Sequence, residues 1–261
     1  MRSFKITLCY DGLAYHGWQW QDGQPTIQEA IEQGIHQVTG QTARVTGSGR
    51  TDSGVHAAGQ VAGFRVDTNL AAEVLGRAIH ASTPHDIYIL KCEETTADFH
   101  PIRDALGKRY RYIIQDAGRY DVLARHYAWQ VPHPLDTALM QQGASLLQGT
   151  HDFAAFETTG SPRSTSVRTV RELTIERFEQ DGFNRIIFYV YADGFLYNMV
   201  RNIVGSLVDV GRGSRDLQWL ATVLANRDRR QAGATAPAHG LTLMQVDYET
   251  TNDPSTDQQA P

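Results

Sequence analysis

The chain has 261 residues, is 41% hydrophobic and 20% charged, and carries a formal charge of −5, a composition that suits one large globular domain or two smaller lobes. Its start, Met1 to Gly12, sets Lys5 and Asp11 around a short apolar run, so neither a secretory leader nor a membrane span is read there and a cytoplasmic location is expected. Cys9 and Cys92 are the two cysteines, without zinc-ligand spacing, and the ten histidines make no His-Glu-x-x-His pattern; two reduced core thiols and no metal site are expected.

Residues 4–10 alternate apolar with mostly polar side chains and stop at Asp11-Gly12, which predicts a half-buried strand. Thr26 and Glu29 form a capping box, and Ile27, Ile31, Ile35 and Val38 repeat at helical spacing until Gly40. A strand over 60–66, a helix over 70–80 with Val74, Leu75, Ala78 and Ile79 inward, and a strand over 87–93 complete a first half. A comparable order restarts after Gly107, with a strand over 109–114 and a helix over 135–147. Strands at 173–175 and 186–190 flank Asp181-Gly182, a hairpin dipeptide that argues for antiparallel pairing. Helices over 197–210 and 215–225 and a last strand over 241–248 follow, and 250–261 reads as a disordered acidic tail. Strands and helices intermix without strict alternation, so the expected fold is α+β, helices packed on a mixed, mainly antiparallel sheet. The expected division is an N-terminal lobe over 1–105, a C-terminal lobe over 106–249, and the tail.

The negative charge speaks against a nucleic-acid partner until its distribution is considered. Residues 245–261 hold four acids and no Lys or Arg, leaving −1 for the rest. Bases cluster at 100–125, which holds six of them against three acids, and Arg163, Arg168 and Arg171 follow with no acid among them. Charge alone favours ordinary solvated faces balanced by acids elsewhere.

The most unusual stretch is Gly47-Ser48-Gly49-Arg50-Thr51-Asp52-Ser53-Gly54-Val55-His56-Ala57. Its glycines permit close backbone approach, so Asp52 can sit at the floor of a cleft with Arg50 nearby. No Gly-Lys-Ser/Thr follows, and the third glycine of a dinucleotide fingerprint would fall on Asp52, so it is neither kind of phosphate loop. On residue types alone a plain surface turn is the readier reading.

That stretch resembles the signature of the tRNA pseudouridine synthase A family. Further segments agree with it in order: Tyr10-Asp11-Gly12 with Tyr15-His16-Gly17-Trp18-Gln19, Lys108-Arg109-Tyr110-Arg111-Tyr112, Gly149-Thr150-His151-Asp152-Phe153 with Phe156, and Gly194-Phe195-Leu196-Tyr197-Asn198-Met199-Val200-Arg201-Asn202. The likeness spans residues 4 to about 248.

The resemblance implies an isomerase that converts uridine to pseudouridine at positions 38 to 40 of the tRNA anticodon stem-loop. It also implies a homodimer without cofactor, and two similar lobes that share one sheet with the cleft between them. Asp52 is then the catalytic nucleophile, Tyr110 the aromatic that stacks on the target uracil, Arg201 the cation paired with Asp52, and Arg50 a holder of the extruded nucleotide. The reaction breaks the bond from ribose C1′ to uracil N1 and rejoins the ring through C5, and a carboxylate can capture the nucleoside meanwhile. Attack at C1′, attack at C6 and an assisted elimination all stay open. The neighbouring arginine predicts a depressed pKa for Asp52. Tyr110 can also move the C5 proton, or pack in the core as an ordinary strand residue. Candidate RNA contacts are Arg77, Lys108, Arg109, Arg111, Arg163 and Arg168.

Two other readings stand beside this one. A non-catalytic RNA-binding or chaperone protein on the same scaffold predicts damage to the set Asp52, Tyr110 and Arg201. A metal-free glycoside or nucleoside hydrolase needs a second carboxyl group beside Asp52, for which Asp11 and Asp193 are the candidates.

Overall fold

Alternation of buried and half-exposed residues builds β1 (Arg2–Tyr10), which turns Phe4, Ile6, Leu8 and Tyr10 into the core. In the computed structural model, which describes residues 1–160, 165–180 and 182–249, β1 lies between β3 (His56–Val66) and β4 (Ile87–Thr95), antiparallel to both. The sheet continues through β5 (Ala105–Asp116), β8 (Val167–Gln180), β9 (Phe183–Ala192) and β10 (Leu241–Tyr248), with the short β2 (Thr46–Gly47), β6 (Trp129–Val131) and β7 (Gly149–Asp152). Its order is β4-β1-β3-β10-β5-β9-β8-β7, with β2 added to β3 and β6 to β5. Among the described residues only the β3/β10 and β5/β6 pairs are parallel, so the α+β, mainly antiparallel expectation holds. Arg163, Asp181 and the acidic tail 250–261 lie outside the described residues; the hairpin expected around 181–182 is present, with Gln180 paired to Phe183.

The helices form two groups. α1 (Ile27–Thr39) packs against α2 (Ala72–Ala81), and α3 (Thr137–Leu147) against α4 (Met199–Gly211) and α5 (Leu217–Asn226). Thr26 caps α1 through the Glu29 amide and Gly40 closes it in the left-handed conformation, as expected. α2 starts two residues late, and Val74 lies 39% exposed rather than inward, because the helix meets β4 through Leu75, Gly76 and Ile79. Cys9 is half-buried, since the side chains beside it on β1 take the core face, whereas Cys92 is buried; both thiols are free. α4 begins at Met199, not 197, because Asn198 adopts φ 60°.

The ladder is shortest at the middle of the sheet's main run. β3 meets β10 through two residue pairs, Thr242 with His56 and Leu243 with Ala57, after which β2 takes that side of β3. β10 and β2 therefore fork on that side of β3, and the loop 48–55, which joins β2 to β3, sits at the fork. Among the described residues no helix is long and apolar enough to cross a membrane.

Candidate active site

The loop 48–55 is fixed from below by buried polar side chains. Ser48 donates to Gln60 Oε1 at 2.7 Å, Gln60 Nε2 donates to Gly49 O at 2.9 Å, and the Tyr10 hydroxyl lies 2.8 Å from Thr51 Oγ1. Lys108 reaches across from β5 to donate to Ser48 O. The turn closes with Val55 N on Asp52 O, aided by Gly54 at φ 77°, a conformation other residues take only with strain. Tyr10, Ser48, Thr51 and Gln60 thus each find a partner, which holds one loop geometry rather than several.

Asp52 projects from this loop to Arg201 on the first turn of α4, with Nη1 3.1 Å from Oδ2 and both side chains about four-fifths buried. A cation in the first turn faces the positive end of the helix dipole, so it needs acceptors. Arg201 has three: Nε donates to Ala236 O at 2.8 Å, and Nη1 donates to Asn198 Oδ1 at 2.7 Å as well as to Asp52. Asn198 is itself oriented, its amide donating to Thr158 Oγ1 at 3.0 Å. The segment carrying Ala236 is pinned to α4 where Gly205 stands: a Cβ there would lie 1.8 Å from Ala234 O. Arg229 adds a half-buried node, donating to Asn202 Oδ1 and Thr235 Oγ1.

Burial raises the Asp52 pKa above the ordinary carboxylate value, and the charge and hydrogen bond of Arg201 only partly reverse this. The expected depression is thus corrected. Desolvation, invisible in a list of sequence neighbours, outweighs a single arginine. Tyr110, 7% exposed on β5, faces the same space: burial first, then the charges of Tyr10 and Asp52, push its pKa well above that of a free phenol. Its ring meets Phe195 edge-on at 5.0 Å, and among the described residues its hydroxyl makes no hydrogen bond. Carboxylate, guanidinium and aromatic hydroxyl, anticipated from three distant segments, therefore converge on one buried wall.

The remaining candidates spread. Arg50 is exposed and donates to Gln19 Oε1 at 3.1 Å. Lys108 holds the Asp52 loop, and Arg168 lies against Gly194, next to the segment bearing Phe195. Strand alternation turns Arg109 and Arg111 to the face opposite Tyr110, where Arg109 pairs with Glu172 at 2.7 Å and covers the Tyr191 ring. Arg77 stands on α2 beside the edge strand β4, two strands beyond β3. Asp11 and Asp193 do not reach Asp52: Asp11 binds Tyr127 and His56, and Asp193 accepts from Thr169 N. A second carboxyl group for glycoside hydrolysis is absent from these two positions. No group of three or more His, Cys, Asp or Glu placed to hold a metal occurs among the described residues.

Sequence reading missed Asn198, Phe195 and the Ala236 carbonyl. Asn198 and Phe195 lie in a motif already quoted, but nothing in residue type alone says that one holds a guanidinium and the other backs an aromatic ring.

A family model described as tRNA pseudouridine synthase matches residues 8–102 and 144–249. Among curated proteins, the chain is 43% identical over 248 residues to a tRNA pseudouridine synthase A of Acetivibrio thermocellus, covering 95% of this chain and all of that protein. It is 41% identical over 254 residues to tRNA pseudouridine synthase A 1 of Desulfotalea psychrophila, with the same coverages. It is 40% identical to a tRNA pseudouridine synthase A of Myxococcus xanthus, covering 92% of it.

Proposed function

The chain belongs to the tRNA pseudouridine synthase family, and we propose that it isomerises uridines 38 to 40 of the anticodon stem-loop with Asp52 as the nucleophile. The carrying observation is the buried contact of Asp52 with Arg201 beneath Tyr110. A carboxylate stripped of most of its water is a stronger nucleophile, and the arginine keeps it charged and aimed.

In this reading an extruded uridine enters the fork between the lobes 1–105 and 106–249. Asp52 holds the nucleoside while the N1–C1′ bond breaks, the uracil turns against Tyr110, C5 bonds to C1′ as Asp52 is released, and the proton lost from C5 to solvent is matched by one that N1 takes up. Burial keeps the Tyr110 phenol protonated, which favours stacking and hydrogen-bond donation over proton abstraction. In this reading Arg50, which is exposed, and Arg168, beside Gly194, are the candidate phosphate contacts. A homodimer is supported by the sheet face that β9 leaves half-exposed at Ile187, Tyr189 and Tyr191, opposite its buried residues.

The test is to incubate the protein with unmodified tRNA transcripts carrying uridine at 38, 39 or 40 and to map the product. Conversion confined to those positions is expected; conversion only elsewhere in the tRNA overturns the assignment of position.

A further inference from the structure

The loop 117–128, between β5 and β6, falls in the stretch the family model leaves between its matched segments. It carries Tyr120, Val122, Leu123 and Tyr127 at 48%, 55%, 84% and 48% exposure, a density of bared apolar surface unusual for a monomer without an occupant. Arg119, Arg125 and His126 are exposed among them.

The loop is braced. Its neck is tied by Gln115, which donates to Arg119 O at 3.1 Å and accepts from Asp121 N at 3.2 Å. Asp121 caps the tip by accepting from the amides of Leu123 and Ala124, and Arg185 binds its other oxygen at 3.1 Å. Arg125 donates to Val122 O at 2.9 Å. A tip whose polar groups are satisfied by its own frame shows its leucine outward in a fixed direction.

The foot of the loop is fastened to the catalytic segment. His56, four residues after Asp52, has Nε2 3.0 Å from His126 O, and the Tyr127 hydroxyl donates to Asp11 Oδ2 at 2.6 Å. The same histidine has Nδ1 3.1 Å from Gly12 N and from Asp11 Oδ1, and its ring lies 5.0 Å from that of Tyr127. The loop therefore keeps a set position relative to the Asp52 turn.

We propose that residues 119–125 form a preset wedge that engages the substrate RNA beside the extruded uridine, with Val122 and Leu123 against an unstacked base step and Arg119 and Arg125 on the flanking phosphates. An apolar side chain inserted at a step replaces the stacking lost when a nucleotide leaves the helix, and two arginines meet the charge of the backbone. The proposal rests on the reading that a uridine is extruded to Asp52. Latching the wedge to the loop that carries Asp52 couples opening of the helix to capture of the base.

The test compares the wild type with Leu123→Ser and with Val122→Ser/Leu123→Ser in single-turnover reactions on two tRNA transcripts, one with the target uridine paired and one with it mismatched. Leu123→Ser is expected to lower the rate on the paired target about tenfold, the order of one stacking contact, and to lower it far less on the mismatch, where unpairing is already done. Tyr127→Phe, which removes only the latch to Asp11, is expected to give a smaller loss with the same preference. Thermal melting should be unchanged, because Leu123 is exposed. Equal losses on both transcripts, no loss on either, or a variant that changes oligomeric mass overturns the wedge. A wild type that makes no pseudouridine would instead overturn the reading beneath it.

Discussion

Replacing Arg201 with Gln removes a charge 3.1 Å from Asp52 while keeping much of the side-chain volume. Burial already raises the Asp52 pKa, and Arg201 supplies the opposing effects. An opposite charge at this range moves a carboxyl pKa by about 1–3 units, each worth roughly 1.4 kcal/mol or a factor of ten. The reacting form of Asp52 is the anion, which is lost as pH falls through its folded-state pKa. Removing Arg201 lifts that pKa further, so the acid limb of the pH–rate profile should move to higher pH. The variant should recover part of its activity as pH rises, and the ratio of wild-type to variant rate should shrink toward alkaline pH. Single-turnover pseudouridine formation across pH reads this directly. A loss by one constant factor at every pH, with the acid limb unmoved, would refute the claim that Arg201 governs the charge of Asp52.

Three further outcomes follow from the surrounding contacts. Asn198→Gly keeps the φ 60° backbone but deletes the acceptor for Arg201 Nη1; a bond to a charged group is worth about 1.5–3 kcal/mol, so a loss of tenfold or more with a smaller upward shift of the acid limb is expected in the same assay. Gly205→Ala drives a Cβ into Ala234 O and should displace the segment that holds Arg201, lowering the melting temperature by an amount equivalent to about 1–3 kcal/mol and abolishing turnover. Arg177→Met strips the cation from Asp116, whose side chain is fully buried and whose oxygens lie 2.8 Å from the guanidinium. Urea unfolding should show a loss of about 3 kcal/mol, the low end for a broken buried pair because Arg177 is itself one-third exposed.

The long elements were readable because period and burial agree. β1 and α1 each repeat an apolar face over nine residues or more. β2, β6 and β7 span two to four residues, too few for any period to register. The start of β3 was hidden because His56 and Ala57 read as part of the polar motif, yet these two residues make the junction with β10. That β10 would slide between β3 and β5 is a matter of topology no local pattern encodes. Within the site, Asp52, Tyr110 and Arg201 were named through family resemblance. Physics on the sequence could say only that a charge among apolar helix residues needs a partner, not that the partner lies 149 positions away. The sign of the Asp52 shift was misjudged for a related reason, since burial belongs to the fold and not to the neighbours.

The most direct test of the central claim is Asp52→Asn, a change of one oxygen to an amide nitrogen. Its RNA binding and single-turnover conversion should be measured side by side with the wild type. The variant should retain tRNA affinity and form no pseudouridine, because the amide is neither anionic nor nucleophilic. Turnover near the wild-type rate would contradict that claim and remove Asp52 from the chemistry.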